Sequence, residues 1–156
     1  MTMAIEALNQ AAPEAFVAAL AGIFEHSPWI PEASWPRRPF ASVDDLHAAL
    51  CATLAAADDD ARLALIRAHP ELAGKAMVSK RLTAASTNEQ GKAGLTDCTP
   101  QEFAQLQQLN AAYNTKFGWP FILAVRGPRG LGLHRAEIIA SFERRLEGHA
   151  DFEFAE

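Results

Sequence analysis

The run Thr99-Pro100-Gln101-Glu102 constrains the fold more than any other feature of this chain. A threonine can cap a helix, a proline suits the first helical position, and a glutamate three residues after the cap can reach back to it. Behind this start Phe103, Leu106, Leu109, Tyr113 and Phe117 recur at helical spacing, and Gly118 closes the pattern. A helix with so long an apolar stripe must bury it against other elements. Strand-type alternation is absent from the rest of the sequence, which is rich in Ala and Leu. The partners are therefore expected to be helices too. The expected fold class is all-α, a single-domain bundle of about six to eight helices.

Further helices follow from the same logic. One is predicted over 13–26, with Phe16, Leu20, Ile23 and Phe24 on one side. It should stop in the loop Ser27–Pro31. The segment from there to Phe40 contains Pro31, Pro36 and Pro39 and is predicted to be irregular, anchored by its aromatics. Ser42 should cap a helix striped by Val43, Leu46, Ala49, Leu50 and Leu54. Asp58–Asp60 marks a break, followed by a helix to residue 68. Pro70 disfavours the α conformation at His69, which should lie at a helix end with Pro70 opening the next short helix. Phe121–Val125 is either a buried extended segment or the first turn of something, Gly127–Gly130 is a turn, and 133–148 is a final amphipathic helix.

Composition narrows the function classes. With 156 residues the chain buries about two-thirds of its unfolded surface and needs no disulfide or metal to hold a core. A net charge of −5 argues against non-specific nucleic-acid binding. An apolar fraction of 49% argues against disorder. No run approaches the roughly 18 apolar residues of a membrane span, so no membrane partner is expected. Residues 1–12 lack a basic stretch leading into an apolar one, and Phe154-Ala155-Glu156 is not a peroxisomal address, which leaves the cytoplasm as the expected compartment. Cys51 and Cys98 are too isolated for a disulfide framework or a zinc site, and should be thiols. His134 and Glu137 share a helix face, but a bundle metal site needs a second such pair, and none exists. No nucleotide or serine-hydrolase motif occurs either.

Chemistry concentrates in residues 69–95. The block opens His69-Pro70-Glu71-Leu72-Ala73-Gly74-Lys75 and continues to Ser86-Thr87-Asn88-Glu89-Gln90 and Ala93-Gly94-Leu95. Pro70 restricts the backbone beside His69, and an imidazole suits proton transfer at neutral pH. Five hydrogen-bonding side chains at a helix N-terminus, over exposed N–H groups, suit a small polar anion. Plainer explanations exist for each part. Ser86-x-x-Glu89 is also a capping box, and a histidine before proline can simply end a helix.

At this block the sequence resembles the 2-oxo-4-hydroxy-4-carboxy-5-ureidoimidazoline (OHCU) decarboxylase family. The resemblance rests on His69–Lys75, on Ser86–Gln90, and on Ala93-Gly94-Leu95. Phe24–Trp29, Arg38-Pro39-Phe40, Asn110-Ala-Ala-Tyr113 and Lys116–Ile122 match the family in order, so residues of about 13–147 are covered. The resemblance implies an all-α enzyme without cofactor or metal, commonly a homodimer. It would act on a small-molecule ureidoimidazoline, releasing CO2 to give (S)-allantoin in urate degradation. His69 would be the catalytic proton donor and Glu89 its acidic partner. Pro70, Ser86, Thr87, Asn88, Glu89 and Gln90 would line the substrate. Phe121, Ile122, Leu123, Ala124 and Val125 would offer it backbone groups. The connection Arg126–Leu133 is shorter than is common in the family, which leaves open whether Arg126 or Arg145 reaches the substrate. Two other classes compete: a cofactor-free enzyme on a related ureide, and a helical interaction module without activity.

Overall fold

A computed structural model describes residues 4–73, 95, 98–127 and 132–156. Among these residues the chain is all-α. Eight α-helices are present: α1 (Ile5–Gln10), α2 (Pro13–Leu20), α3 (Trp29–Ser34), α4 (Val43–Ala56), α5 (Asp59–Ala68), α6 (Pro100–Phe117), α7 (Arg135–Leu146) and α8 (Ala150–Ala155). A 3-10 turn, Trp35–Arg37, follows α3, and no strand occurs among the described residues. The helices divide into two compact units, Met1–Ala68 and His69–Glu156.

In the first unit Phe16, Leu20, Ile30, Phe40, Leu46 and Leu50 form the buried core. Helix α2 ends at Leu20, short of the expected 26. Gly22 weakens helix propensity there, and Ile23 is 56% exposed, so continuing the helix would bury nothing on that side. The proline-rich stretch holds a short helix where an irregular connection is predicted. Pro31 is the third residue of α3, in the first turn, where a missing N–H breaks no helical bond. The aromatic anchoring is as expected. Trp35 Nε1 donates to the Ala11 carbonyl, and the Arg38 guanidinium lies 3.8 Å from the Trp35 ring centre while donating to Asn9 and Ala11. Ser42 caps α4, accepting from the Asp45 N–H at 3.1 Å. Val43 does not join the stripe of α4. It is 68% exposed, and Thr53 takes the buried place, its hydroxyl 2.7 Å from that of Ser34.

The second unit is organised around α6. The predicted cap is present in full: the Thr99 hydroxyl accepts from the Glu102 N–H, and the Glu102 carboxylate accepts from the Thr99 N–H. The bond from the Thr99 N–H, with the Arg135 guanidinium nearby, holds the Glu102 carboxyl below the usual carboxylate range. Gly118 ends the helix with φ of 81°, a conformation that glycine adopts without steric cost. Leu106, Tyr113 and Phe117 are buried with Leu72, Ala73, Leu95, Phe121, Val125, Ile138 and Phe142 in one core. Phe121–Ala124 has no regular secondary structure and Val125 enters a turn, so the segment is not the first turn of a helix. Helix α7 starts at Arg135, where Glu137 accepts from the His134 N–H at 2.8 Å. The spacing that might have suggested a metal pair is thus a helix cap. Gly148 turns the chain into α8. A Cβ there would lie 3.0 Å from the Arg145 carbonyl, a tight contact that glycine avoids.

Candidate functional site

His69 is the first residue past α5, as the following proline predicts. Pro70 does not open a helix: residues 70 and 71 are irregular and lead into a turn at Leu72 and Ala73, the latter with φ of 50°. Within it the His69 Nδ1 lies 3.0 Å from the Pro70 carbonyl. A carbonyl only accepts, so Nδ1 carries the proton and Nε2 is the nitrogen left for a ligand.

Helix α6 grips this turn through three amide side chains. Asn114 Nδ2 donates to a Glu71 carboxylate oxygen at 2.5 Å. Asn110 Nδ2 donates to the Leu72 carbonyl at 2.8 Å, and Gln107 Nε2 to the Ala73 carbonyl at 2.5 Å. Positions 107, 110 and 114 fall on one helix face. Leu72 and Ala73 are buried beside them, and Leu95, at the far end of the motif block, is buried in the same core.

The segment Phe121–Val125 is fastened to the same core. Phe121 stacks on Phe142 with ring centres 3.8 Å apart and meets Tyr113 edge-on at 5.2 Å. Its carbonyls are largely tied back: Ile122 accepts from Arg145, Ala124 from the Gly127 N–H, and Val125 from the Leu133 N–H. The N–H groups of Ile122–Val125 have no acceptor among the described residues. Among the described residues the strap is therefore held through its carbonyls.

Arg145 fastens the strap. Its Nη1 donates to the Ile122 carbonyl at 2.6 Å, and its guanidinium lies 4.7 Å from the Phe121 ring centre. Nε and Nη2 both reach Glu153 Oε2, at 2.8 and 2.7 Å. The same carboxylate oxygen accepts from the Tyr113 hydroxyl at 2.5 Å. Burial and the bond to Glu153 push the Tyr113 phenol up to about 12. The folded protein thus keeps a proton there that the unfolded chain releases near pH 10. That stabilisation is complete below about pH 10 and is lost as the pH rises towards 12. Urea unfolding at pH 9 and 11.5 should therefore cost wild type more stability than Tyr113→Phe. Equal losses would remove this role for the hydroxyl.

A groove of about 790 Å³ runs beside the strap, lined by Ile122, Leu123, Ala124, Leu133, Ser141 and Arg144 among others. His69 is not among its lining residues, so the groove alone does not define a reaction site. No cluster of potential metal ligands occurs among the described residues. Ser86, Thr87, Asn88, Glu89 and Gln90 lie outside the described residues. The sequence offered no sign of the roles of Gln107, Asn114 and Glu153. Polar residues at 107 and 114 look like a solvated flank. In α8 the order of burial is inverted: Glu153 is buried while Phe152 is 75% exposed.

Comparison with known proteins bears on the whole chain. A family model described as OHCU decarboxylase matches residues 9–156. A 2-oxo-4-hydroxy-4-carboxy-5-ureidoimidazoline decarboxylase of Halalkalicoccus jeotgali is 40% identical over 80% of this chain and 68% of its own length. The protein of that name in Haloferax volcanii is 34% identical over 97% of this chain and 85% of its own. A crystal structure of (S)-allantoin synthase matches with a TM-score of 0.71 at 25% identity, over 98% of this chain and 48% of that one.

Proposed function

The chain belongs to the OHCU decarboxylase family and is a carboxy-lyase of urate degradation, and we propose that His69 and Glu89 carry its reaction, without a cofactor, to (S)-allantoin. One observation carries the assignment of residues. The turn bearing His69 and the strap Phe121–Val125 are both fastened to α6 and share one core. Two parts that a small substrate would need at once are thereby supported by a single rigid element.

The chemistry asks little more of the protein. As the bond from C4 to the carboxylate breaks, its electron pair forms a double bond to the ureido-bearing carbon. The neighbouring C=N receives electrons at its nitrogen, which takes up a proton. Adding a second proton to one face of the ureido-bearing carbon sets the S configuration, while the C4 hydroxyl gives up its own proton and becomes a carbonyl. The ring is its own electron sink, so the work left is orientation and proton delivery.

His69 is the proton donor in this scheme. With Nδ1–H bonded to the Pro70 carbonyl, the imidazolium has Nε2–H free to give. Glu89 would hold the C4 hydroxyl or balance the imidazolium. Pro70, Ser86, Thr87, Asn88 and Gln90 line the substrate. The strap amides of Phe121–Val125 donate to its ureido and ring carbonyls, supported by carbonyls that are already tied back and by N–H groups without an acceptor among the described residues. Both units would serve as one catalytic domain, in a homodimer. The cytoplasm suits Cys51 and Cys98, which are thiols and not a disulfide. No helix among the described residues is long and apolar enough to cross a membrane.

The test generates substrate in place from urate, with urate oxidase and hydroxyisourate hydrolase, and follows allantoin by circular dichroism. Purified protein should produce one enantiomer rapidly, at a rate that a chelator leaves unchanged. Slow racemic accumulation would reject the activity, and chelator inhibition would reject the metal-free scheme.

A further inference from the structure

We propose that Gln107, Asn110 and Asn114 form a clamp that aims the His69 imidazole, and that they are positioning residues for the reaction. The proposal rests on His69 being the proton donor. Three donors on one face of α6 meet three consecutive residues of the turn, one acceptor each: the Ala73 carbonyl, the Leu72 carbonyl and the Glu71 carboxylate. Burying Leu72 would hold the turn on the helix but would leave it free to slide or roll. Three directed bonds at fixed helical offsets remove that freedom. At the other end of the turn Pro70 restricts its own backbone and accepts the His69 Nδ1–H. The imidazole direction is then tied to α6 through a short, stiff path.

Two local costs point the same way. Ala73 holds a left-handed conformation without being glycine. Asn110 is 3% exposed and its Oδ1 is buried without a partner among the described residues. Stability alone gains little from either feature, since an unpaired buried acceptor is unfavourable. Both lie at the clamp, and backbone strain held by its surroundings is a property of functional sites.

The experiment reverses one bond of the clamp. Asn114→Asp sets a carboxylate against that of Glu71 and abolishes the donor. At pH 8 its kcat should fall about 100-fold while KM moves less than about 3-fold, the signature of lost alignment and not of lost binding. The exchange variant E71Q/N114D restores one donor and one acceptor, with the direction reversed, and should return kcat to within about 3-fold of wild type. Gln107→Met, at the half-exposed end of the clamp, keeps shape and loses its donor, and should lower kcat about 10-fold. It decides the matter if Asn114→Asp does not fold. The clamp is rejected if Gln107→Met and every folded Asn114→Asp preparation keep wild-type kcat, or if the exchange variant folds and stays as slow as the single one. His69→Ala, assayed in parallel, separates the two levels: near-normal turnover there overturns the role of His69 itself, whereas an inactive His69→Ala beside unimpaired clamp variants overturns the clamp alone.

Discussion

His69→Ala should lower the rate of stereospecific allantoin formation by about 10²–10⁴-fold, the range that a positioned general acid supplies. What remains should be the uncatalysed decay, so the circular dichroism signal should fade along with the rate. His69→Asn is the sharper companion. An amide there can still donate to the Pro70 carbonyl, which His69 Nδ1 now does, but it has no proton to deliver at neutral pH. Both variants should unfold near the wild-type temperature, because His69 is only half-buried and its one bond among the described residues is to the adjacent residue. Substantial turnover in the Asn variant would mean that the proton comes from elsewhere, and Glu89 would be the next residue to replace.

Glu153→Ala should be strongly destabilising to the second unit. One carboxylate oxygen receives Nε and Nη2 of Arg145 and the Tyr113 hydroxyl. The side chains of the ion pair are 13% and 7% exposed, so this is a buried pair and not a surface one. Removing one partner of such a pair leaves a buried charge uncompensated and costs about 3–5 kcal/mol. For a chain of this size that corresponds to a fall in Tm of roughly 6–20 °C. Activity should suffer as well, because a guanidinium without its carboxylate no longer holds the Ile122 carbonyl in one place. Tyr113→Phe removes one hydrogen bond and leaves the ion pair intact, so it should cost only about 1 kcal/mol. A Glu153→Ala protein that unfolds within about 1 kcal/mol of wild type would show that Arg145 finds water or another acceptor.

Much of the fold was legible because its signals are local. Thr99, Pro100 and Glu102 specify the start of α6 within four residues, and Gly118 specifies its end. Pro70 ends α5 through contacts with its own neighbours. Two features are not legible, for a common reason. The prolines predict an irregular connection, but Pro31 occupies the first turn of α3, where no helical bond is lost. Periodicity alone puts Val43 on a buried stripe, whereas the face of α4 that is buried depends on what packs there, and Thr53 has Ser34 opposite it.

The all-α class, the family and the short list of residues able to move a proton are readable from the amino-acid order alone. Each depends on residue types at short separations, where backbone sterics, capping and side-chain chemistry act without knowledge of the rest of the chain. What Arg145, Glu153 and the three amides of α6 do follows from the folded arrangement instead. Arg145 lies 23 residues from the carbonyl it holds, Tyr113 lies 40 from Glu153, and Asn114 lies 43 from Glu71. A buried charge or amide is stable only beside its partner, and at such separations the partner is brought there by folding.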